Sequence, residues 1–246
     1  MLIDYKNVDI CQETQQVLGA VNFHADTGEF IYIIGKVGSG KSSLLKTMYC
    51  ELDIAAAETA EVLGRNMLRI KRREVPALRR EMGIIFQDFQ LLHDRNVERN
   101  LRFVLRSTGW KDKQLIAERI DEVLDLVGMQ DKKLSMPHEL SGGEQQRIAI
   151  ARAILNTPKI IIADEPTANL DPDTADSIIT LLKDISRTGT AVVMTTHNIL
   201  MLDRFPGIVY RCRDGKLEEV TQQTIGDQQQ NTETDCRKDG LDNEQE

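Results

Sequence analysis

Aromatic side chains are scarce in this sequence, 4% of 246 residues with a single Trp. That scarcity argues against the stacking platforms on which single-stranded nucleic acids are bound. Cysteines number four, Cys11, Cys50, Cys212 and Cys236, scattered without metal-ligand spacing. They read as free thiols of a reducing compartment rather than as a disulfide framework. No run approaches the roughly 18–20 apolar residues that span a bilayer. The N-terminus carries Asp4 and lacks a basic-then-apolar targeting pattern. A soluble, cytosolic chain is therefore expected, unless a partner holds it at a membrane. No internal repeat and no sustained heptad pattern are present.

What is present is ordinary globular material. Apolar residues make up 41%, enough for the core of one large α/β domain. The net charge of −8 is uneven: Thr221 to Glu246 holds seven acids against Arg237 and Lys238, a net −5, which leaves −3 for the rest. This tail, rich in Gln, Asn, Asp and Glu, is expected to be disordered. A basic stretch, Arg65 to Arg80, carries Arg69, Lys71, Arg72, Arg73 and Arg79 as well. It reads as a solvated helix face, with proximity to anionic lipid headgroups as the sharper alternative.

The most informative stretch is Gly35-Lys36-Val37-Gly38-Ser39-Gly40-Lys41-Ser42. It fits the phosphate-loop pattern, and it has the required context. The apolar run Phe30 to Ile34 precedes it as a strand, and Ser43 to Met48 follows as a helix. Glycines let successive N–H groups converge on one anion, and the new helix adds its positive dipole end. Lys41 can then reach the outer phosphates and the Ser42 hydroxyl a Mg²⁺ ion.

Short strands are expected at Leu2–Ile10, Val17–Phe23, Gly83–Phe86, Ile160–Ala163 and Ala191–Met194. The last two are continuous apolar runs, as in a parallel sheet covered on both faces. Arg213-Asp214-Gly215 signals a hairpin. Between Asp94 and Lys133 apolar residues recur at helical spacing (Val97, Leu101, Val104; Ile116, Ile120, Val123), ending at Gly128.

Two further motifs decide among phosphate-loop proteins. Leu140-Ser141-Gly142-Gly143-Glu144-Gln145-Gln146-Arg147 precedes a helical run expected over Gln145–Leu155. Its free N–H groups and the helix start make a second anion site. A two-fold dimer would bring this turn of one chain to the phosphate loop of the other. Asp164 ends a buried apolar strand, where an unpaired carboxylate is costly and a Mg²⁺ ion would offset the cost. Glu165, next to it, is the expected general base.

These strings resemble those of ATP-binding-cassette (ABC) ATPases. Leu140 to Arg147 resembles the family's LSGGQ signature, with Glu144 in the Gln slot, and Ile160 to Glu165 its Walker B strand. Gln87 matches the Q-loop, Ala168-Asn169-Leu170-Asp171 the D-loop and His197 the switch histidine, all in family order. The resemblance implies the α/β phosphate-loop NTPase fold of ABC ATPases: a mixed-sheet core, an antiparallel β subdomain and a helical subdomain. It implies one ATPase domain over 1–220, the helical part inserted at about 90–155, with 221–246 as the tail.

The implied sites follow residue by residue. Glu165, His197 and Gln87 are catalytic. Gly35, Lys36, Val37, Gly38, Ser39, Gly40, Lys41, Ser42 and Ser43 bind ATP, together with Ser141, Gly142, Gly143 and Glu144 of the twin chain. Ser42, Gln87 and, through water, Asp164 hold Mg²⁺, and Asn169 and Asp171 serve the dimer. The family places an adenine-stacking aromatic near the N-terminus. Cys11 stands there, beside Gln12, and Tyr5 falls in the first strand, which leaves base preference open.

Phe86 to Leu92, Asp94 to Asn100 and Arg73 to Arg80 are similar to the FtsE-type cell-division branch of this family. Lipoprotein-release and macrolide-export ATPases carry similar strings, and a non-hydrolysing ATP-dependent scaffold is a further alternative. The branch implies an ATPase that dimerises on ATP. It would sit on the cytoplasmic face of the bacterial inner membrane, through an FtsX-like integral membrane protein, and regulate cell-wall hydrolases. It implies neither nucleic-acid binding nor insertion of this chain into the membrane.

Overall fold

The computed structural model describes residues 1–220; the acidic tail expected to be disordered lies outside the described residues. Two sheets organise the chain. The first is antiparallel, ordered β2-β1-β4-β5, from β1 (Ile3–Gln12), β2 (Gln15–Ala25), β4 (Thr59–Val62) and β5 (Arg65–Asn66). The second has six strands. Its parallel part is β9 (Ile208–Arg213), β3 (Phe30–Ile34), β8 (Ala191–Thr196), β7 (Ile160–Ala163) and β6 (Met82–Ile85), in that order. Strand β10 (Lys216–Val220) closes one edge antiparallel to β9 through the Asp214-Gly215 turn.

The apolar strands of the larger sheet divide their side chains between two cores, as the two-residue period of a strand requires. Phe30, Tyr32 and Ile34 of β3 face one core, and Ile31 and Ile33 face the other. Ile161 with Val192, and Ile160 with Val193, repeat the alternation on β7 and β8. The first core is covered by α3 (Val97–Ser107), α4 (Lys113–Leu126), α5 (Gly142–Ile154) and α6 (Pro172–Arg187). The second is covered by the antiparallel sheet and α1 (Lys41–Met48). Strands buried on both faces need no alternation in sequence, which is why they read as continuous apolar runs.

Helix boundaries follow from capping. Asn96 caps α3 by accepting from the Arg99 N–H, and Asp112 caps α4 by accepting from Gln114 and Leu115. A short helix α2 (Val75–Arg80) precedes β6, and the segment after Gln87 lies between β6 and α3. Buried Asn100 fastens that segment with bonds to Leu92, Arg95 and Asn96. Arg152 of α5 donates to the Phe89 and Gln90 carbonyls at 2.8 and 2.5 Å. The chain after Gln87 is thereby tied to the helix that begins at Gly142.

Two expectations from the sequence are corrected. The helix after the Ser-Gly-Gly turn starts at Gly142, not Gln145, because Ser141 and Glu144 form a reciprocal capping box that outweighs two poor helix formers. The first two strands run to Gln12 and from Gln15, so that Glu13 and Thr14 alone make the turn. Glu13 supplies its left-handed residue at φ 55°, where an Asn or Gly would have been the readable signal. Among the described residues no helix is long and apolar enough to cross a membrane.

Candidate active site

The expected phosphate-binding residues lie where β3 hands over to α1. Gly40 precedes α1 in the left-handed region at φ 97°, and a Cβ there would stand 2.8 Å from Val17 Cγ1. Only glycine permits both the turn and this close approach of the β1–β2 hairpin. No side chain caps α1, which leaves its first N–H groups for an anion. The buried Ser39 Oγ in the same loop has no protein partner. Such a cradle suits a polyphosphate. Lys41, 5% exposed, donates to the Gly35 and Lys36 carbonyls at 2.9 and 3.1 Å.

Beyond Lys41, the ends of β7 and β8 supply the other groups. Asp164 accepts hydrogen bonds from Ser42 Oγ at 3.0 Å and Thr195 Oγ1 at 2.7 Å. Thr195 also accepts from the Glu165 N–H at 2.8 Å. This bond holds Glu165 in the left-handed region, φ 44°, a conformation that costs a non-glycine residue free energy. The outcome places the Glu165 carboxylate between two partners: Lys41 Nζ at 3.7 Å and His197 Nδ1 at 3.0 Å. Thr195 was not foreseen from the sequence; its signal, a hydroxyl at the end of an apolar strand, has no fixed meaning without the fold.

Ser42 and Asp164 make an oxygen-only pair that suits a hard cation such as Mg²⁺. Among the described residues no three His, Cys, Asp or Glu side chains stand together as a metal cluster. An ion here would complete its shell with water and phosphate oxygens, the usual pattern for magnesium.

A cavity of about 450 Å³ joins these elements. Gly38, Lys41, Ser42, Gln87 and Glu165 line it, together with Gln12, Gln15, Gln16 and Val17 of the hairpin. Cys11, the position aligned with a stacking aromatic, is not in its lining, and Tyr5 is fully buried with its hydroxyl on Thr47. A second cavity of about 180 Å³ carries Glu165 and His197 across to Asn169. Asp171 caps α6 by accepting from the Thr174 N–H, and these bonds hold its carboxyl below the usual range.

Ser141, Gly142, Gly143 and Glu144 line neither cavity. Within one chain the two anion-directed turns are therefore not brought together. The second turn has a charge of its own. Glu144 accepts from the Ser141 N–H at 2.8 Å and pairs with Lys132 at 3.0 Å, and both interactions lower its pKa. Gly143 packs against α6 so tightly that a Cβ would lie 2.5 Å from Thr174 Cγ2. Lys132 and Thr174 are contributions that sequence spacing did not single out.

The ABC transporter family model matches residues 18–168, from the hairpin to the segment after Glu165. The cell division ATP-binding protein FtsE of Streptococcus pneumoniae is 44% identical over 200 residues, 81% of this chain and 86% of the relative. FtsE of Escherichia coli strain K12 is 41% identical over 203 residues, 82% and 90% of the two chains. That of Mycobacterium tuberculosis is 39% identical over 228 residues, 91% and 96%. Among solved structures, the dimeric cassette MJ0796 in a post-hydrolysis state with ADP and Pi matches with a TM-score of 0.78 and 30% identity, covering 89% of this chain and 99% of that one. The cassette cbiO1 of Clostridium perfringens matches with a TM-score of 0.83 and 25% identity, over 93% and 91%. The chain belongs to the ABC transporter family, as one of its ATP-binding, ATP-hydrolysing cassettes.

Proposed function

We propose that this cassette hydrolyses ATP in order to drive an FtsX-like integral membrane partner in bacterial cell division, with cell-wall hydrolases as the regulated enzymes. The single observation that supports the hydrolytic part is the seat of Glu165 between Lys41 and His197, bordering both cavities. The division role rests on the likeness to FtsE proteins over more than four-fifths of this chain.

In this reading residues 35–43 hold the triphosphate and Lys41 turns from its carbonyl partners to the outer phosphates. Glu165 takes a proton from a water whose oxygen attacks the γ-phosphorus, and the bond to the β–γ bridging oxygen breaks to leave ADP and phosphate. His197 positions the Glu165 carboxylate and meets the γ-phosphate, and Gln87 orients the water. Ser42 and Gln87, and Asp164 through water, would hold Mg²⁺, which would supply charge neutralisation to the outer phosphates.

Ser141, Gly142, Gly143 and Glu144 of a second copy close the site from outside, with Asn169 and Asp171 at the seam. Two ATP molecules are then enclosed by two chains. Binding favours the closed dimer and hydrolysis the open one, and that difference in affinity can move a partner. The chain acts at the cytoplasmic face of the inner membrane, held there by the partner. Residues 1–220 form one ATPase domain, with the helical part at about 90–155.

Isolation of the tagged chain from bacterial membranes tests this. An FtsX-like protein should accompany it, and phosphate release should differ with and without that partner. Recovery with a lipoprotein-release or macrolide-export permease instead would refute the division role.

A further inference from the structure

We propose that Gln12 and Gln15 receive the base of the bound nucleotide and that this site takes adenine and guanine nucleotides alike. The inference rests on the ATPase reading and adds the specificity of its substrate. The 450 Å³ cavity joins the phosphate loop to the β1–β2 hairpin. Ser42, Gln87 and Glu165, the groups suited to the terminal phosphates, line it together with the tip of the β1–β2 hairpin. The hairpin rests on the phosphate loop itself, Val17 against Gly40. A triphosphate laid along the loop with its outer phosphate toward Glu165 sends its nucleoside to that tip.

The tip offers amides and no aromatic face. Tyr5 cannot turn outward, since it is buried and its hydroxyl is bonded to Thr47 at 3.2 Å. Gln16 is also committed: its Nε2 donates to Asp9 at 3.2 Å. Gln12 and Gln15 face each other across the hairpin register, and both are exposed. Among the described residues their side-chain amides have no hydrogen-bond partner.

An amide carries an acceptor oxygen and two donor hydrogens, and its terminal torsion is broad and nearly two-fold. A half-turn exchanges donor for acceptor at little cost. Adenine presents a donor amino group where guanine presents a carbonyl acceptor. Two freely turning amides can match either pattern, so they select a base edge without choosing between the purines. A fixed charge would choose. Guanine has two adjacent donors, N1–H and the N2 amino group, that suit a carboxylate, and adenine has no such pair.

The test is binding of Mg²⁺ complexes of fluorescent ATP and GTP analogues to the full chain, the parent beside Gln12→Glu and Gln15→Glu. The parent should bind both with dissociation constants within about threefold, well short of the discrimination a fixed bidentate pair gives. At least one Glu variant should shift the ratio toward GTP by roughly tenfold, the worth of one such pair. A parent that binds ATP more than about thirtyfold tighter than GTP would overturn the proposal alone, as would Glu variants with an unchanged ratio. Failure to bind either nucleotide would overturn it together with the ATPase reading.

Discussion

Exchanging the Glu165 carboxylate for an amide isolates its role as proton acceptor. Glu165→Gln keeps the size and shape of the side chain and the left-handed backbone at φ 44°, and Gln can still hydrogen-bond to His197 Nδ1, now at 3.0 Å. It removes the charge that faces Lys41 at 3.7 Å and the lone pair basic enough to take a proton. The side chain is only 15% exposed, so bulk water is a poor substitute base. A positioned base contributes about 10²–10⁴ in rate, or roughly 3–5 kcal/mol of barrier at 1.36 kcal/mol per decade. Steady-state phosphate release should therefore fall at least about a hundredfold. Binding of ATP should hold or tighten, because a carboxylate beside the γ-phosphate has gone. If turnover stayed within about threefold of the parent, far less than a lost base costs, Glu165 would be no base and the reasoning from its position would be wrong.

Three other perturbations follow from specific contacts. Lys132→Met leaves the Glu144 carboxylate uncompensated at an anion-directed turn, so ATP-driven dimerisation should weaken severalfold, and Glu144→Gln in the same chain should restore it. Titration of dimer against ATP checks both, and an unaffected single variant would count against the pairing. Gly143→Ala pushes a Cβ to 2.5 Å from Thr174 Cγ2 and should lower stability by about 1–3 kcal/mol in thermal melts. Thr174→Ser, which deletes that methyl group, should recover most of the loss. Glu81 is held below the ordinary 4.5 by hydrogen bonds from Lys159 and Arg65. Its contribution is thus present above 4.5 and lost as the pH falls toward its folded-state value. Glu81→Gln should cost stability near neutrality and flatten the acid limb of a melting-temperature profile, whereas parallel profiles would show the pairs contribute nothing.

Much of this fold could be read from local signals. Phe30 to Ile34 and Ile160 to Ala163 are apolar without alternation because both faces are buried, and the helical period of Val97 to Val127 survives because one stripe of it packs. Two glycines at the start of α5 masked a helix start that the local Ser141–Glu144 capping-box spacing does carry. What could not be read depends on distant partners. The pairs Lys41–Glu165, Lys132–Glu144 and Arg152 with Phe89 and Gln90 join segments far apart in sequence, and no spacing rule reports them. Cys11 aligned with a stacking position, yet the hairpin carries Gln12 into the cavity instead. A helix at Pro172–Arg187 went unread, although Asp171-Pro172 followed by Ile178, Ile179 and Leu182 carried the cap and the period.

The account stands or falls on two chains sharing ATP between the loop at Gly35–Ser43 of one and the turn at Ser141–Glu144 of the other. Light scattering on Glu165→Gln, with Mg²⁺ and ATP added stepwise, measures this directly. The expected result is a mass that rises from the 27.8 kDa of one chain to twice that value, and that stays at one chain when Ser141→Arg is added. A mass that remained at one chain under saturating ATP, with nucleotide demonstrably bound, would contradict it.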